Sequence, residues 1–260
     1  MAIAASAAVP TVHNFEISET YKSADMNFKV TATDTAQVYV STHVTMQWPT
    51  RFGDNDITML QDSLIGCAFN GHFATADEAI TDFVSRPAGY TDLKLEPVSH
   101  IPADSAVQVW QQSLDVWTVG FCDRYIVYRL DYMVDYGGAH PNRYSRFLNY
   151  DIGNNRVLDF ADIFKAGTDS TLLTAVHRAL QLKYFAPDDS TLAANSGIFT
   201  DQLTVSRNVL LDDDGITFVY NPYDIAPWSA GTISVTIPAW VLSRQLTPRA
   251  HELFGITDEE

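Results

Sequence analysis

The segment DYMVDYGGAHP, residues 131–141, brings acid–base side chains close together in the chain. Asp131 and Asp135 precede His140, and a histidine near a substrate proton can serve as a general base. Two carboxylates can also form the catalytic pair of a glycoside hydrolase, because such pairs meet in space rather than in sequence. One interpretation of this segment is therefore an envelope glycan or peptidoglycan hydrolase that uses Asp131, Asp135 and His140.

A structural role for His140 is the competing interpretation, and the flanking residues favour it. Glycines before this histidine permit backbone angles closed to other residues, and the proline after it bars helical geometry. A catalytic base would also need a nucleophile or a substrate proton within reach, yet the only nearby hydroxyl suited to be a nucleophile, Ser145, lies in an ordinary predicted strand. We therefore predict a structural turn, with the His140 ring hydrogen-bonded to that turn or to a neighbouring strand. The turn comprises Gly137, Gly138, His140 and Pro141.

No other motif for nucleophilic, phosphate or metal chemistry stands out. The chain has no G-x-S-x-G elbow and no glycine-rich phosphate loop, and its seven histidines never fall at H-x-x-x-H spacing. Asp212 and Asp214 in LLDDDGITF are candidate calcium ligands. However, the loop lacks the terminal glutamate of a calcium site, so a hairpin turn is favoured. We expect neither a metal nor a cofactor.

The two cysteines are predicted to remain unpaired. Cys67 lies on the apolar stripe of a predicted helix, Cys122 lies at the start of a strand, and nothing local holds them together. A zinc site cannot be built from two cysteines alone.

The connection at residues 221–231 has the composition of a stiff binding loop. Pro222 and Pro227 restrict the backbone and so reduce the entropy lost on docking. Tyr223 and Ile225 are expected to fold back onto the core, whereas Trp228, beside small residues, is the better candidate for an exposed anchor. The binding residues predicted here are Tyr223, Asp224, Pro227 and Trp228.

Alternating strands and a few amphipathic helices are expected to position these segments. VYVSTHVTMQW and YIVYRLDYMVDY alternate strictly, which predicts long strands with one buried face, and the second pattern places Asp131 and Asp135 together on the opposite face. Thr75 and Glu78 form a capping-box pattern at the start of a helix. A hydrolase at Asp131 and Asp135 would require that face to be concave, whereas a flat or covered face would favour binding.

Strands grouped in adjacent pairs, with helices between them, predict an α+β fold: a curved antiparallel sheet with about three helices on one side. The chain is predicted to begin with a tail (1–26), which could be the stub of an export leader. A soft boundary near residue 165 then separates two intertwined α+β subdomains (27–165 and 166–260). The formal charge of −16 argues against nucleic acid or an anionic membrane as the main partner, and no apolar run is long enough to span a membrane.

Two segments resemble a known family. YGGAHPNRY followed by LNYDIGNNRVLDFADIF, and GITFVYNPYDIAPWSAGTISVTIPAWVL further on, occur in the order found in the extracytoplasmic domains of the RsiV anti-sigma factors. They are also similar to the non-catalytic N-terminal part of PdaC-type peptidoglycan deacetylases. The resemblance extends from about residue 27 to residue 246.

The resemblance implies a cell-envelope location, in the periplasm or at the cell surface. The N-terminal tail is interpreted either as the stub of a trimmed export leader, which would supply an anchor as in a lipoprotein, or as a loose N-terminus. It also implies an α+β fold and a binding role, since RsiV members bind lysozyme through this domain. In the sequence given, no sigma-binding segment precedes the domain and no deacetylase domain follows it, so signalling and deacetylation are not carried over. The expected partner is a basic protein such as a lysozyme, or peptidoglycan.

Overall fold

The computed structural model describes residues 16–31, 37–104 and 106–256. These residues contain ten strands: β1 (Ile17–Val30), β2 (Gln37–Phe52), β3 (Leu95–Val98), β4 (Val107–Phe121), β5 (Tyr125–Asp135), β6 (Asn142–Asp151), β7 (Arg156–Val157), β8 (Val209–Asp212), β9 (Gly215–Tyr220) and β10 (Ile233–Ile237). They also contain six α-helices: α1 (Thr58–Phe69), α2 (Ala76–Ser85), α3 (Phe160–Ile163), α4 (Asp169–Lys183), α5 (Asp189–Ser196) and α6 (Pro248–Phe254). None of the described helices is long and apolar enough to cross a membrane.

The strands form two sheets, which confirms the α+β prediction. The large sheet has the order β3-β1-β2-β4-β5-β6-β7, and the small sheet has the order β10-β9-β8. Every pair is antiparallel except β2 and β4, which run parallel because the chain crosses back through α1, α2 and β3 between them. The expectation of a wholly antiparallel sheet is therefore corrected at this one pair.

The number of helices also differs from the expectation of about three. The segment LDFADIF predicts a short helical entry, and α3 lies there with 4 residues. Helices α5 and α6 have only 8 and 7 residues, too short for an apolar period of 3.6 to be recognised in the sequence, although N-cap residues mark their starts at Asp188 and Thr247. Capping signals alone were thus the available clue to these helices.

Alternation in β2 places its apolar residues on one buried face, as predicted. Val40, Val44 and Met46 are fully buried, and α1 and α2 cover the part of the sheet to which Val44 and Met46 belong. Thr75 caps α2 by accepting a hydrogen bond from the Glu78 amide, while the Glu78 carboxylate accepts from Ala74 rather than from Thr75. A capping box consists of two reciprocal hydrogen bonds. The first is present as predicted, and the second is made by the amide one residue before Thr75.

A second core lies between the large sheet, the small sheet and the later helices. Tyr125 and Val127 of β5 belong to it together with residues of α4, β9 and β10. Strand β5 thus contributes to both cores, since its residues Ile126 and Tyr128 belong to the first. The division of the chain into subdomains near residue 165 stays a prediction. Strand β1 begins at Ile17, so residues 17–26 of the range assigned to a tail belong to the sheet, while residues 1–15 lie outside the described residues.

Two local predictions are confirmed. Asp212 pairs with Gly215 across a tight β8–β9 hairpin, whose Gly215 has φ +140° and packs against the backbone of Ile237. Both cysteines are free thiols. Burial raises the pKa of the Cys67 thiol, in agreement with its predicted place on the inner side of α1.

Candidate functional site

The turn that carries His140 is built on the end of β5. The Asp135 carboxylate accepts a hydrogen bond from the Gly137 amide at 2.8 Å, and Tyr90 donates its hydroxyl to the Asp135 carbonyl. Gly137 has φ +70°, and a Cβ atom there would lie 2.3 Å from the indole Nε1 of Trp110. The glycine is therefore required both by backbone angle and by space.

The loop at residues 221–231 is held against β6 by one asparagine. The Asn221 side chain accepts from the Ser145 amide at 2.7 Å and donates to the Ser145 carbonyl at 3.1 Å. Within the loop, the Asp224 carboxylate accepts from the Asn221 amide at 2.7 Å, and Ile225 is buried in the second core. Because β6 starts directly after Pro141, anchoring the loop on β6 brings it beside the His140 turn.

The two segments meet in a cluster of His140, Tyr223 and Trp228, which we call the aromatic cluster. The His140 and Trp228 rings stack with centroids 4.2 Å apart and an interplanar angle of 16°. The Trp228 indole donates to the Pro141 carbonyl at 3.1 Å, and the Tyr223 hydroxyl lies 3.0 Å from Nε2 of His140. Each ring is thereby held by at least one contact from the other segment.

Tyr223 is the exposed member of the aromatic cluster. It is 61% exposed, and its φ of +75° is a left-handed angle that non-glycine residues seldom adopt. Its amide donates to the Ala226 carbonyl at 3.1 Å, which helps to hold this angle. Such backbone outliers persist only where the surroundings enforce them, and they occur often at ligand-contact sites.

The contacts of this loop agree with the sequence predictions only in part. His140 makes the predicted contact with its own turn, a weak hydrogen bond of 3.3 Å to the Pro141 carbonyl, but its shorter hydrogen bond goes to Tyr223 in the loop at 221–231 and not to a neighbouring strand. Ile225 is buried as expected, but the roles of the two aromatic residues are exchanged: Tyr223 is exposed and Trp228 is half-buried against His140. The sequence could not show this, because the stacking partner of Trp228 lies 88 positions away and only the fold brings it near.

The structure does not bring the predicted acids to His140. Asp131 accepts hydrogen bonds from Arg129 and Ser145, and Asp135 caps the turn. Neither carboxylate makes a hydrogen bond or ion pair with His140 in the described part of the chain. Each of the three side chains therefore has its own separate contacts.

A polar hollow lies on the open face of the large sheet beside β5. It has a volume of about 470 Å³, and its walls include Ser113, Asp115, Arg129, Asp131 and Arg143. The face is thus concave at Asp131, as a hydrolase would require, but Asp135 and His140 are not among the lining residues.

Asp115 is a feature of this hollow that sequence reasoning missed. It stands opposite Asp131 in the β4–β5 register and makes no hydrogen bond or ion pair with a described residue. The pKa of Asp115 is raised above its ordinary value, mainly because the side chain is partly buried. The facing Asp131 also raises this pKa, whereas the nearby His43 lowers it. Only the strand register reveals that Asp131 is the neighbour of Asp115, because pairing between strands cannot be read from one segment alone.

Comparisons with known proteins agree with this fold. The family described as "Protein of unknown function (DUF3298)" matches residues 161–239, which include the loop at 221–231 but not the His140 turn. No curated protein matches the chain.

Two crystal structures are similar over nearly the whole chain. A DUF3298 family member from Bacteroides fragilis NCTC 9343 has a TM-score of 0.72 and 20% identity, and the match covers 95% of this chain and 100% of that chain. A DUF3298 family protein from Pseudomonas aeruginosa PAO1 has a TM-score of 0.59 and 18% identity, and the match covers 91% of this chain and 96% of that chain. At these identities the likeness shows the fold alone. Neither of these proteins is described as an RsiV or PdaC relative, so that resemblance stays an interpretation.

Proposed function

We propose that this protein is a non-catalytic binding module of the cell envelope, and that it contacts its partner through the aromatic cluster and the loop at residues 221–231. The partner is a basic protein such as a lysozyme or another cell-wall-active protein. The observation that carries the proposal is the rigid presentation of Tyr223: an exposed tyrosine fixed by its backbone angle, by the Ala226 carbonyl and by His140. A side chain that is ordered before binding loses little entropy when it docks.

The charge of the chain supports a basic partner. A formal charge of −16 attracts cationic proteins over distances comparable with the Debye length, about 8 Å at physiological salt. Asp224 lies next to Tyr223 on the surface and supplies a local negative charge, although one of its oxygens already accepts from the Asn221 amide. Two measurements therefore separate the two effects: salt dependence reports the attraction by the charge of the whole chain, and substitution of Tyr223 reports the direct contact.

Residues around Tyr223 frame the contact. Pro222 directly precedes Tyr223, and Pro227 directly precedes a short 3-10 turn at Trp228–Ala230. The two prolines therefore restrict the backbone before and after Tyr223. Trp228 stacks on the His140 ring and so helps to hold the loop in place. We therefore assign the direct contact to Tyr223 and Asp224, and the support to Pro227 and Trp228.

The competing function is hydrolysis of envelope glycan or peptidoglycan. The sequence offers Asp131, Asp135 and His140 as its catalytic residues, but in the structure these three side chains make separate contacts. These contacts favour binding over catalysis. An assay for release of reducing sugars from peptidoglycan tests the alternative directly, because a hydrolase would release them and a binding module would not.

The binding proposal is tested by calorimetric titration with lysozyme at about 0.05 M and 0.5 M salt, where the screening length differs severalfold. The variants are Tyr223→Ala and a matched control, Tyr21→Ala, which removes another strongly exposed tyrosine (70% exposed) on β1. We expect Tyr223→Ala to weaken binding roughly thirtyfold, the effect of a moderate hot spot, and Tyr21→Ala to leave it unchanged. Raised salt should weaken binding of all three proteins.

Two results would contradict the proposal. Absence of binding at low salt excludes lysozyme as the partner. Salt-sensitive binding that Tyr223→Ala and Tyr21→Ala change equally would place the contact elsewhere on the acidic surface. The envelope location is tested separately by fractionating cells and finding whether the protein stays with the cytoplasm.

A further inference from the structure

An apolar groove separate from the aromatic cluster runs between α4 and β10. It has a volume of about 590 Å³ and is lined mainly by carbon, with Ala175, Ala179 and Leu182 on the helix side and Val235, Ile237 and Val241 on the strand side. Leu182 is 62% exposed at its edge, although a leucine on a surface helix gains nothing from contact with water. Grooves of this size and composition are typical of sites for small apolar ligands.

The groove is open because of the residues that line it. Ala175 and Ala179 are four positions apart on α4 and so lie on the same side of the helix, where their short side chains leave space above β10. Strand β10 pairs only with β9 among the described strands, so its other edge faces the groove. A larger side chain at position 179 would occupy that space.

Two cationic side chains stand at the groove without carboxylate partners. Arg178 makes no hydrogen bond or ion pair with any residue that the structure describes, and Lys183 donates to the carbonyl of Ser234. Among the described arginines, Arg51, Arg143, Arg146 and Arg244 also lack an ion pair, but none of them lines this groove. Six others do pair with carboxylates: Arg86, Arg124, Arg129, Arg156, Arg207 and Arg249. What distinguishes Arg178 and Lys183 is their place: both line an apolar groove, where a ligand with a negative charge can pair with them while its apolar part is buried.

We infer that this groove binds a single-chain amphiphile with an anionic head group, such as a fatty-acid carboxylate. The hydrocarbon chain lies between Ala179 of α4 and Val235 of β10, and the carboxylate is held by Arg178 with support from Lys183. Binding is favoured by the burial of apolar surface and by a charge-assisted hydrogen bond.

The edge of β10 disfavours the other obvious occupant, an extended peptide added as a fourth strand. Lys183 already covers the Ser234 carbonyl, and Pro238 at the end of β10 has no amide proton to donate. A lysine and a proline at an edge strand both hinder the addition of another strand. A hydrocarbon chain needs no backbone hydrogen bonds, so these features do not hinder it.

The proposal is tested by calorimetric titration of the whole chain with dodecanoate below its critical micelle concentration. Dodecyltrimethylammonium, with the same chain and a cationic head, is the comparison ligand. Arg178→Glu should weaken dodecanoate binding at least tenfold, since a hydrogen bond to a charged group is lost and a repulsive charge is added. Ala179→Phe should abolish binding of either ligand by filling the groove. Arg51→Glu, an exposed arginine on β2, is the charge-matched control and should bind like the wild type.

Circular dichroism melting of each variant separates loss of binding from loss of fold. If Ala179→Phe melts early, Arg178→Glu and the comparison of head groups still decide the question. Absence of dodecanoate binding, equal binding of the cationic ligand, or equal effects of Arg178→Glu and Arg51→Glu would overturn the proposal. Sedimentation showing a dimer that Ala179→Phe dissociates would assign the groove to a second copy of the chain and would equally overturn it.

Discussion

Replacement of His140 by alanine distinguishes the structural from the catalytic interpretation of this residue. The variant loses the hydrogen bond between Nε2 and the Tyr223 hydroxyl, at 3.0 Å, and the stacking on Trp228 at 4.2 Å. A hydrogen bond contributes about 1 kcal/mol and an aromatic pair about 0.5–1.5 kcal/mol. Since the cluster is partly exposed and water can replace some contacts, we expect the free energy of unfolding to fall by about 1–2 kcal/mol.

Urea unfolding followed by tryptophan fluorescence measures this change. His140→Phe is the informative second variant, because it retains a ring for stacking on Trp228 and loses only the hydrogen bond to Tyr223 and the weak one to Pro141, so about 1 kcal/mol should be lost. His177→Ala is the matched control: its ring pairs with Asp189 on the surface, and such exposed pairs contribute at most about 1 kcal/mol. An unchanged unfolding curve for His140→Ala, together with loss of a glycan-hydrolysing activity, would refute the structural interpretation.

Two further predictions concern the stability of the fold, one at the His140 turn and one at an ion pair between α6 and the end of β6. Gly137→Ala should lower the free energy of unfolding by about 1–2 kcal/mol because of the left-handed backbone angle, with a further penalty from the clash of the new Cβ with Trp110. Gly138→Ala is the control and should be almost neutral in the same urea assay, because its added Cβ would have no atom within 4 Å. Equal effects of the two substitutions would contradict this prediction. Arg249→Ala should cost about 3 kcal/mol at pH 7, because it leaves the fully buried Asp151 carboxylate without its ion pair. Burial raises the pKa of Asp151, but the hydrogen bonds led by Arg249 lower it below the ordinary value of 3.8, so its stabilising effect is complete above that pH and is lost as pH falls through the folded-state pKa. The difference between Arg249→Ala and the wild type should therefore shrink in acid, and a difference independent of pH would exclude this pair as its source.

Much of the secondary structure could be predicted from local pattern. Strict alternation gave the buried face of β2, and the glycine pair before His140 gave a turn at the end of β5. Of the two glycines, the structure needs positive φ only at Gly137. The parallel pairing of β2 with β4 and the short helices α5 and α6 were not predicted, because pairing depends on distant residues and a short helix has too few turns to show a period.

The sequence by itself determined which segments carry the candidate site, since glycine and proline restrict the backbone wherever they occur. Only the tertiary structure decided how those segments meet. The Asn221 anchor on β6 brings Trp228 onto His140 and leaves Tyr223 exposed, and the β4–β5 register places Asp115 opposite Asp131. Backbone preferences act within a few residues, whereas exposure, stacking and cross-strand contacts depend on residues far apart in the chain, and so they are settled only when the whole chain has folded.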